Sequence, residues 1–389
     1  MDGAKGSTGI RLLRVIAVAC VAAAVLLVPS RAGVAGEMKE YQTRYYVIYS
    51  DHDTDMVKEA TARITAMAEE YHERTKDFAG QITKRLAFYL YSTQEDYVRA
   101  GGQGEGMFDG HRLMACVPKG SVMGWHVVQH EGFHQFVHQV IRGTLSMWAN
   151  EGLAEYFGEG IWTGDAFVTG VIPDGRLARV QALIRDKKLR SFAQMLTFTN
   201  LQWNSQLDIR NYDQAWSMVQ FLVHGDDGKY RKPFGAFLGD VSGGQPAAVA
   251  FAQRFGDDSK AFEEKYRAWW TSLPEGSTAE TYTLAVCQTL MSFLARAQVA
   301  GQKFKDVQEF FDLAKADQLQ CPKDQWLPPS LLKSVLAVSG RLKTWSIAGA
   351  APRSKLVLTT PEGVVFTAEY TQDRNKDFQV KVQIKHPPK

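Results

Sequence analysis

Cysteine is scarce in this chain, with four in 389 residues. Cys20 lies in an N-terminal apolar run, and Cys116, Cys287 and Cys321 lack the close spacing of a thiolate metal site. A large charge imbalance is also missing: the formal net charge is only +3. No basic stripe with interleaved aromatics occurs, which argues against nucleic acid as a partner. There are no internal repeats and no low-complexity tracts. The most apolar run, Val15 to Val28, has about 14 residues, too few for a comfortable membrane span.

What is present describes an ordinary globular protein, 45% hydrophobic and 22% charged, with enough apolar side chains for a sizeable core. The N-terminus stands apart. Lys5, Arg11 and Arg14 precede the apolar run, Pro29 breaks it, and Ala32, Gly33 and Ala35 follow. Basic, apolar and small-residue segments in that order read as a secretory signal peptide over 1–35, cleaved near Ala35, with export as the consequence. The alternative is an uncleaved N-terminal anchor; after cleavage no stable membrane span is expected. In an exported chain Cys287 and Cys321 are the natural disulfide candidates, which leaves Cys116 as a buried small residue.

The expected class is α+β. Over 36–120 the pattern gives a small mixed sheet with helices. Strands are expected at Tyr45 to Tyr49, Leu86 to Tyr91 and Arg112 to Val117, and a helix follows the capping residues Asp51 to Thr54. Ser92 with Glu95 reads as a capping box. Over 121–273 the pattern is helical: Trp125 to Ile141, Trp148 to Phe157, Arg176 to Asp186, Tyr212 to His224, Phe234 to Leu238 and Lys260 to Leu273. A helical segment is expected over 274–335, running from Tyr282 to Leu319 with a further short helix after Pro328-Pro329. A β-rich module over 336–389 carries strands at Leu356 to Leu358, Val364 to Phe366 and Phe378 to Ile384.

The chemistry concentrates in His130-Glu131-Gly132-Phe133-His134. Histidines at i and i+4 share a helix face, so two imidazoles can reach one ion, and Glu131 lies close enough to meet a water that the ion activates. HExxH arises by chance roughly once in a hundred such chains, and its inert alternative is a pair of hydrogen-bonded histidines on a buried face. A catalytic zinc needs a third protein ligand and one open position. Glu151 lies 17 positions beyond His134 (151 − 134), at the start of the next helix, where a tight hairpin returns it to the metal face. Glu155, one turn further, is placed to accept the second N–H of a ligand histidine. His126 and His138 extend the i, i+4 series, but neither outer pair carries an acid beside its first histidine, and helical drift turns both off the seam.

HExxH followed by Asn150-Glu151-Gly152-Leu153-Ala154-Glu155-Tyr156-Phe157 resembles the gluzincin branch of zinc metallopeptidases, which includes thermolysin and the aminopeptidase N family. The stretch from Tyr45 to Leu273 also resembles a family of exported bacterial peptidase-like domains of unknown function. That second resemblance rests on Tyr49-Ser50-Asp51, His130 to Phe136, Trp148 to Phe157 and Tyr212 to Leu222. The resemblance implies Zn2+ held by His130, His134 and Glu151, Glu131 as general base, and Asn150 and Glu155 as supporting groups. It also implies a tyrosine on a later helix as oxyanion donor. Tyr212 stands in a comparable place, and a tyrosine that merely packs at a helix start is an equal alternative. The strand Arg112 to Val117 is placed, by the same likeness, to hold an extended peptide; otherwise it is an interior strand. Two features depart from the aminopeptidases: the His134 to Glu151 spacing is slightly shorter, and their substrate-amine motif is missing.

The expected function is an exported zinc peptidase acting on a peptide or protein substrate. The alternatives are a silent secreted binding or scaffold protein and a metal-dependent hydrolase of non-peptide bonds. The signal peptide is checked by N-terminal sequencing of the exported protein, which should begin near Gly36. An intact Met1 in a membrane fraction would establish the anchor instead.

Overall fold

The computed structural model describes residues 37–388 apart from 142, 207, 343, 352, 375 and 376. The expected signal peptide, Cys20 and the cleavage point lie outside the described residues. Among the described residues no helix is long and apolar enough to cross a membrane.

The fold begins with β1 (Lys39–Gln42) and β2 (Tyr46–Ser50), an antiparallel pair. In β2 alternate residues Tyr46, Ile48 and Ser50 are buried, the signature of a sheet with one core face. Helix α1 (Thr54–Thr75) follows, capped by Asp53, whose side chain accepts the Met56 N–H at 2.9 Å. It buries Met56, Ala60, Ile64, Met67 and Tyr71 at helical spacing. Strand β3 (Leu86–Tyr91) returns parallel to β2. Helix α2 (Gln94–Arg99) is capped by Thr93, one residue later than the expected box, because both the N–H and the hydroxyl of Ser92 go to Asp51. A short strand, β4 (Gly106–Phe108), then pairs antiparallel with β5 (Arg112–Cys116), which runs parallel to β3.

The strand order is β1-β2-β3-β5-β4. This corrects one expectation: the strand beginning at Arg112 is interior, and the outer strand on that side is β4. Three residues with a glycine among them carry no readable alternation, so β4 was not foreseen.

Helix α3 (Val122–Val140), capped by Ser121, packs against α1, β4 and β5. Gly132 explains how closely α3 approaches α1: a Cβ there would lie 2.8 Å from Met67 Cε. Tyr71 OH also donates to the Gln129 carbonyl. A short loop reverses the chain into α4 (Met147–Gly158). Beyond the two-residue strands β6 (Ile161–Trp162) and β7 (Phe167–Val168) come α5 (Asp174–Arg185), α6 (Phe192–Leu196) and α7 (Asn200–Ser205). Helix α8 (Ile209–Gly228) is kinked at Gly225 to Asp227. Helices α9 (Arg231–Ser242), α10 (Ala247–Phe255) and α11 (Ser259–Ser272) complete this half.

The expected helical run from Tyr282 to Leu319 is two helices, α12 (Ala279–Val299) and α13 (Val307–Lys315), parted by Gly301 at φ 91°, where helical propagation stops. Helix α14 (Pro329–Ser339) starts at the proline pair. Strands β8 (Thr344–Ala348), β9 (Lys355–Thr359), β10 (Val365–Gln372) and β11 (Phe378–Lys385) form an antiparallel sheet in the order β11-β10-β9-β8. Helix α12 packs on this sheet, and its buried Arg296 pairs with Asp165 at 2.6 Å and lies over the Phe378 ring at 4.5 Å. The disulfide expectation is corrected. Cys287 is free and buried in α12, while Cys321 is free and exposed, with its thiol turned to the Pro322 and Gln325 carbonyls. Cys116 is buried, as expected of a small apolar residue.

Helices α4 and α8 pack closely. A Cβ on Gly152 would lie 2.5 Å from the Ala215 carbonyl oxygen and 2.8 Å from Val219 Cγ2. Because the first obstacle is backbone, α8 itself must shift. Gly152→Ala should therefore cost about 1–3 kcal/mol, read as a lower midpoint in denaturant at unchanged slope. A midpoint equal to that of the parent would show that the two helices separate freely.

Candidate metal centre

Helix α3 carries His130 and His134 one turn apart, and the loop after it sends α4 back alongside. Three side chains meet as a result. His130 Nε2 and His134 Nε2 are 3.2 Å apart, and Glu151 Oε2 lies 3.4 Å from the first and 3.6 Å from the second. These atoms form a nearly equilateral triangle that could hold one metal ion. The side chains are only 12%, 15% and 10% exposed, so little water competes for them.

The outer histidines of α3 take no part. His138 is exposed, with its ring 5.5 Å from that of Phe108, and His126 sits against Gly158. Glu155, one turn beyond Glu151, points its Oε1 at His130 Nδ1 from 3.1 Å. His134 Nδ1 is buried with no partner among the described residues, and the same holds for Asn150 Oδ1. The support expected from Asn150 therefore has no counterpart in a described contact.

The charge around the triangle is lopsided. Burial opposes charging the two imidazoles, yet the hydrogen bonds and charges of Glu151 and Glu155 outweigh it and raise His130 well above the ordinary histidine value, while at His134 the charge and hydrogen bond of Glu151 outweigh burial and raise it. Burial would raise the Glu151 carboxyl, but His134 and His130 pull it down to about 2. The negative potential that draws protons to these rings also draws a cation, and metal and proton compete for the same lone pairs.

Glu131 faces the outer strand. Its Oε2 accepts the Phe108 backbone N–H at 2.9 Å, which ties the carboxylate to β4. Tyr212 comes from the first turn of α8, its ring centroid 6.4 Å from that of His130, with Trp203 edge-on at 5.3 Å. Burial first and the Glu151 charge second push its phenol up to about 12, so it remains an O–H donor near neutral pH. The approach of α8 permitted by Gly152 brings it there.

One participant escaped the sequence reading. Arg176 of α5 is buried and bonds Glu155 at 2.6 Å, Glu159 at 2.8 Å and Asp213 at 3.0 Å. In the sequence it resembles any charge near a helix start, and its partners lie too far away to signal burial.

Residues 126–248 match a family described as Protein of unknown function (DUF1570). That stretch contains His130, Glu131, His134, Glu151, Glu155, Arg176 and Tyr212. No curated protein matches the chain.

The geometry predicts about one divalent ion per purified chain. His134→Ala or Glu151→Ala should strip it, while His126→Ala and His138→Ala should retain it, as measured by elemental analysis after dialysis. Retention by His134→Ala with loss from His126→Ala would overturn the ligand assignment.

Proposed function

We propose that this protein is an exported zinc peptidase that hydrolyses peptide bonds with Glu131 as general base. The observation that carries the reading is the triangle of two imidazole nitrogens and one carboxylate oxygen, at 3.2, 3.4 and 3.6 Å. A tetrahedral zinc with bonds of about 2.0–2.1 Å sets its ligand atoms roughly 3.3 Å apart, so this spacing supports zinc over larger ions. Two histidines and one carboxylate also leave a fourth position open, the mark of a catalytic rather than a structural site. Held by His130, His134 and Glu151, zinc would supply Lewis acidity, acidifying a water and polarising a carbonyl.

The chain's own groups supply the rest. Glu131 accepts the proton of the attacking water and returns it to the leaving amine. Phe108 fixes the direction of that carboxylate by occupying Oε2, which leaves Oε1 for the proton. Tyr212 donates its phenol proton in a hydrogen bond to the oxygen that gains negative charge. The extended substrate lies along β4, the outer strand of the sheet, which packs on α3. The expected signal peptide, together with the resemblance to exported peptidase-like domains, supports export.

The Phe108 contact also favours a second reading, a binding protein that keeps the site without turnover, because it uses part of the base's accepting capacity. One paired assay separates the two. Glu131→Gln should fold, bind zinc nearly as well as the parent and lose roughly 10²- to 10⁴-fold in cleavage of a peptide library. Tyr212→Phe should keep zinc and lose on the order of 10²-fold in turnover. Zinc without peptide cleavage in the parent overturns the peptidase reading; equal cleavage by parent and Glu131→Gln removes Glu131 from its role.

A further inference from the structure

We propose that Arg176 is a positioning residue for the metal centre, acting on His130 through the Glu155 carboxylate. The proposal rests on the reading of His130, His134 and Glu151 as metal ligands. Glu155 is a two-ended link. Its Oε2 meets Arg176 Nη2 at 2.6 Å, and its Oε1 meets His130 Nδ1 at 3.1 Å. A carboxylate held at one end only can rotate and present either oxygen. With Oε2 anchored to a rigid guanidinium fork, Oε1 has one direction left, toward the imidazole. An Nδ1–H that donates to Oε1 leaves the Nε2 lone pair for the ion and fixes the plane of the ring.

Arg176 is itself fixed from every side. Nη1 bonds Glu159 at 2.8 Å, Nε bonds Asp213 at 3.0 Å, and the guanidinium face lies 4.4 Å from the centre of the Trp216 ring. Glu155 belongs to α4 and Glu159 caps its C-terminus, Asp213 and Trp216 belong to α8, and Arg176 to α5. One side chain therefore locks three helices behind a single ligand. A stray buried ion pair would not need this arrangement, since Asp213 already has a second cation, Arg179, at 2.7 Å.

The two histidines are consequently unequal. His130 is braced by a relay two residues deep, whereas His134 Nδ1 has no partner among the described residues. Retention of the ion should depend more on what stands behind His130 than on anything behind His134.

The test measures zinc dissociation constants by chelator competition, with folding followed by circular dichroism. Glu155→Gln should weaken zinc roughly 10- to 100-fold, the usual scale for loss of an outer hydrogen-bond partner. Arg176→Met keeps apolar packing against Trp216 and should weaken zinc to a similar degree. The double variant should bind no worse than Glu155→Gln alone, because both changes cut one link. Glu159→Gln touches the same guanidinium without touching His130; it should lower thermal stability and leave zinc within a few-fold of the parent.

Arg176→Met leaves carboxylates without their buried partner, so Arg176→Lys serves as a second measurement. It keeps the charge, spans fewer carboxylates and should weaken zinc several-fold. It should also shift the visible spectrum of the Co2+-loaded protein. Normal zinc affinity in Arg176→Lys alongside loss in Glu155→Gln would overturn the proposal, as would losses that multiply in the double variant. A parent that binds no zinc would overturn the ligand assignment and this relay together, whereas zinc-binding parent and unaffected Arg176 variants would overturn the relay alone.

Discussion

Helix α4 lies between α3 and α8, and everything around the metal triangle depends on how near those neighbours come. Its α3 side carries Glu151 and Glu155, which must lie within hydrogen-bonding distance of two imidazoles. On the α8 side Gly152 has no side chain, and the Ala215 carbonyl takes the space a Cβ would need. Helices at ordinary separation would leave Tyr212 and Asp213 remote from α4. The close approach gives the site a phenol on one side and an anchored guanidinium on the other. A glycine in a helix costs roughly 1 kcal/mol relative to alanine, and here that cost sustains the contact on which the ligand set relies.

How far the sequence could be read depended on how local each feature is. HExxH was legible because two histidines four residues apart share a face in any helix, and Glu151 followed once the next helix was seen to turn back. The larger elements were legible for the same reason: α1 repeats its apolar positions at helical spacing from Met56 to Tyr71, and β3 is an unbroken apolar and aromatic run from Leu86 to Tyr91. Gly132 had no explanation until Met67, from another helix, was found against it. Ser92 and Thr93 are equally competent caps, and only Asp51, which takes Ser92, decides between them. Arg176 was the hardest case, since a buried arginine and an exposed one are spelled alike and its three carboxylates arrive from residues 155, 159 and 213. Residue type and short spacing reveal which groups could bind a metal; long-range packing determines what stands behind them.

The match over residues 126–248 covers the candidate ligands and the residues behind them, yet it begins within α3 and omits β4 and β5. The outer strand lies outside the matched stretch, while the carboxylate it touches, Glu131, lies inside. The chemistry-bearing helices and the sheet edge beside them thus come from different parts of the chain and meet only in the folded protein.

That meeting has a mechanical side. Strand β4 is three residues long and pairs with one neighbour, so few hydrogen bonds hold it in place. One of them runs from the Phe108 amide to a side chain on another element, the Glu131 carboxylate. The rim of the sheet is therefore fastened by the group that the chemistry would use. Whatever neutralises or draws away that carboxylate loosens the strand, and whatever pulls on the strand turns the carboxylate. Edge and centre meet in that one hydrogen bond, so a chain laid along the rim would press on the contact that holds the Glu131 carboxylate.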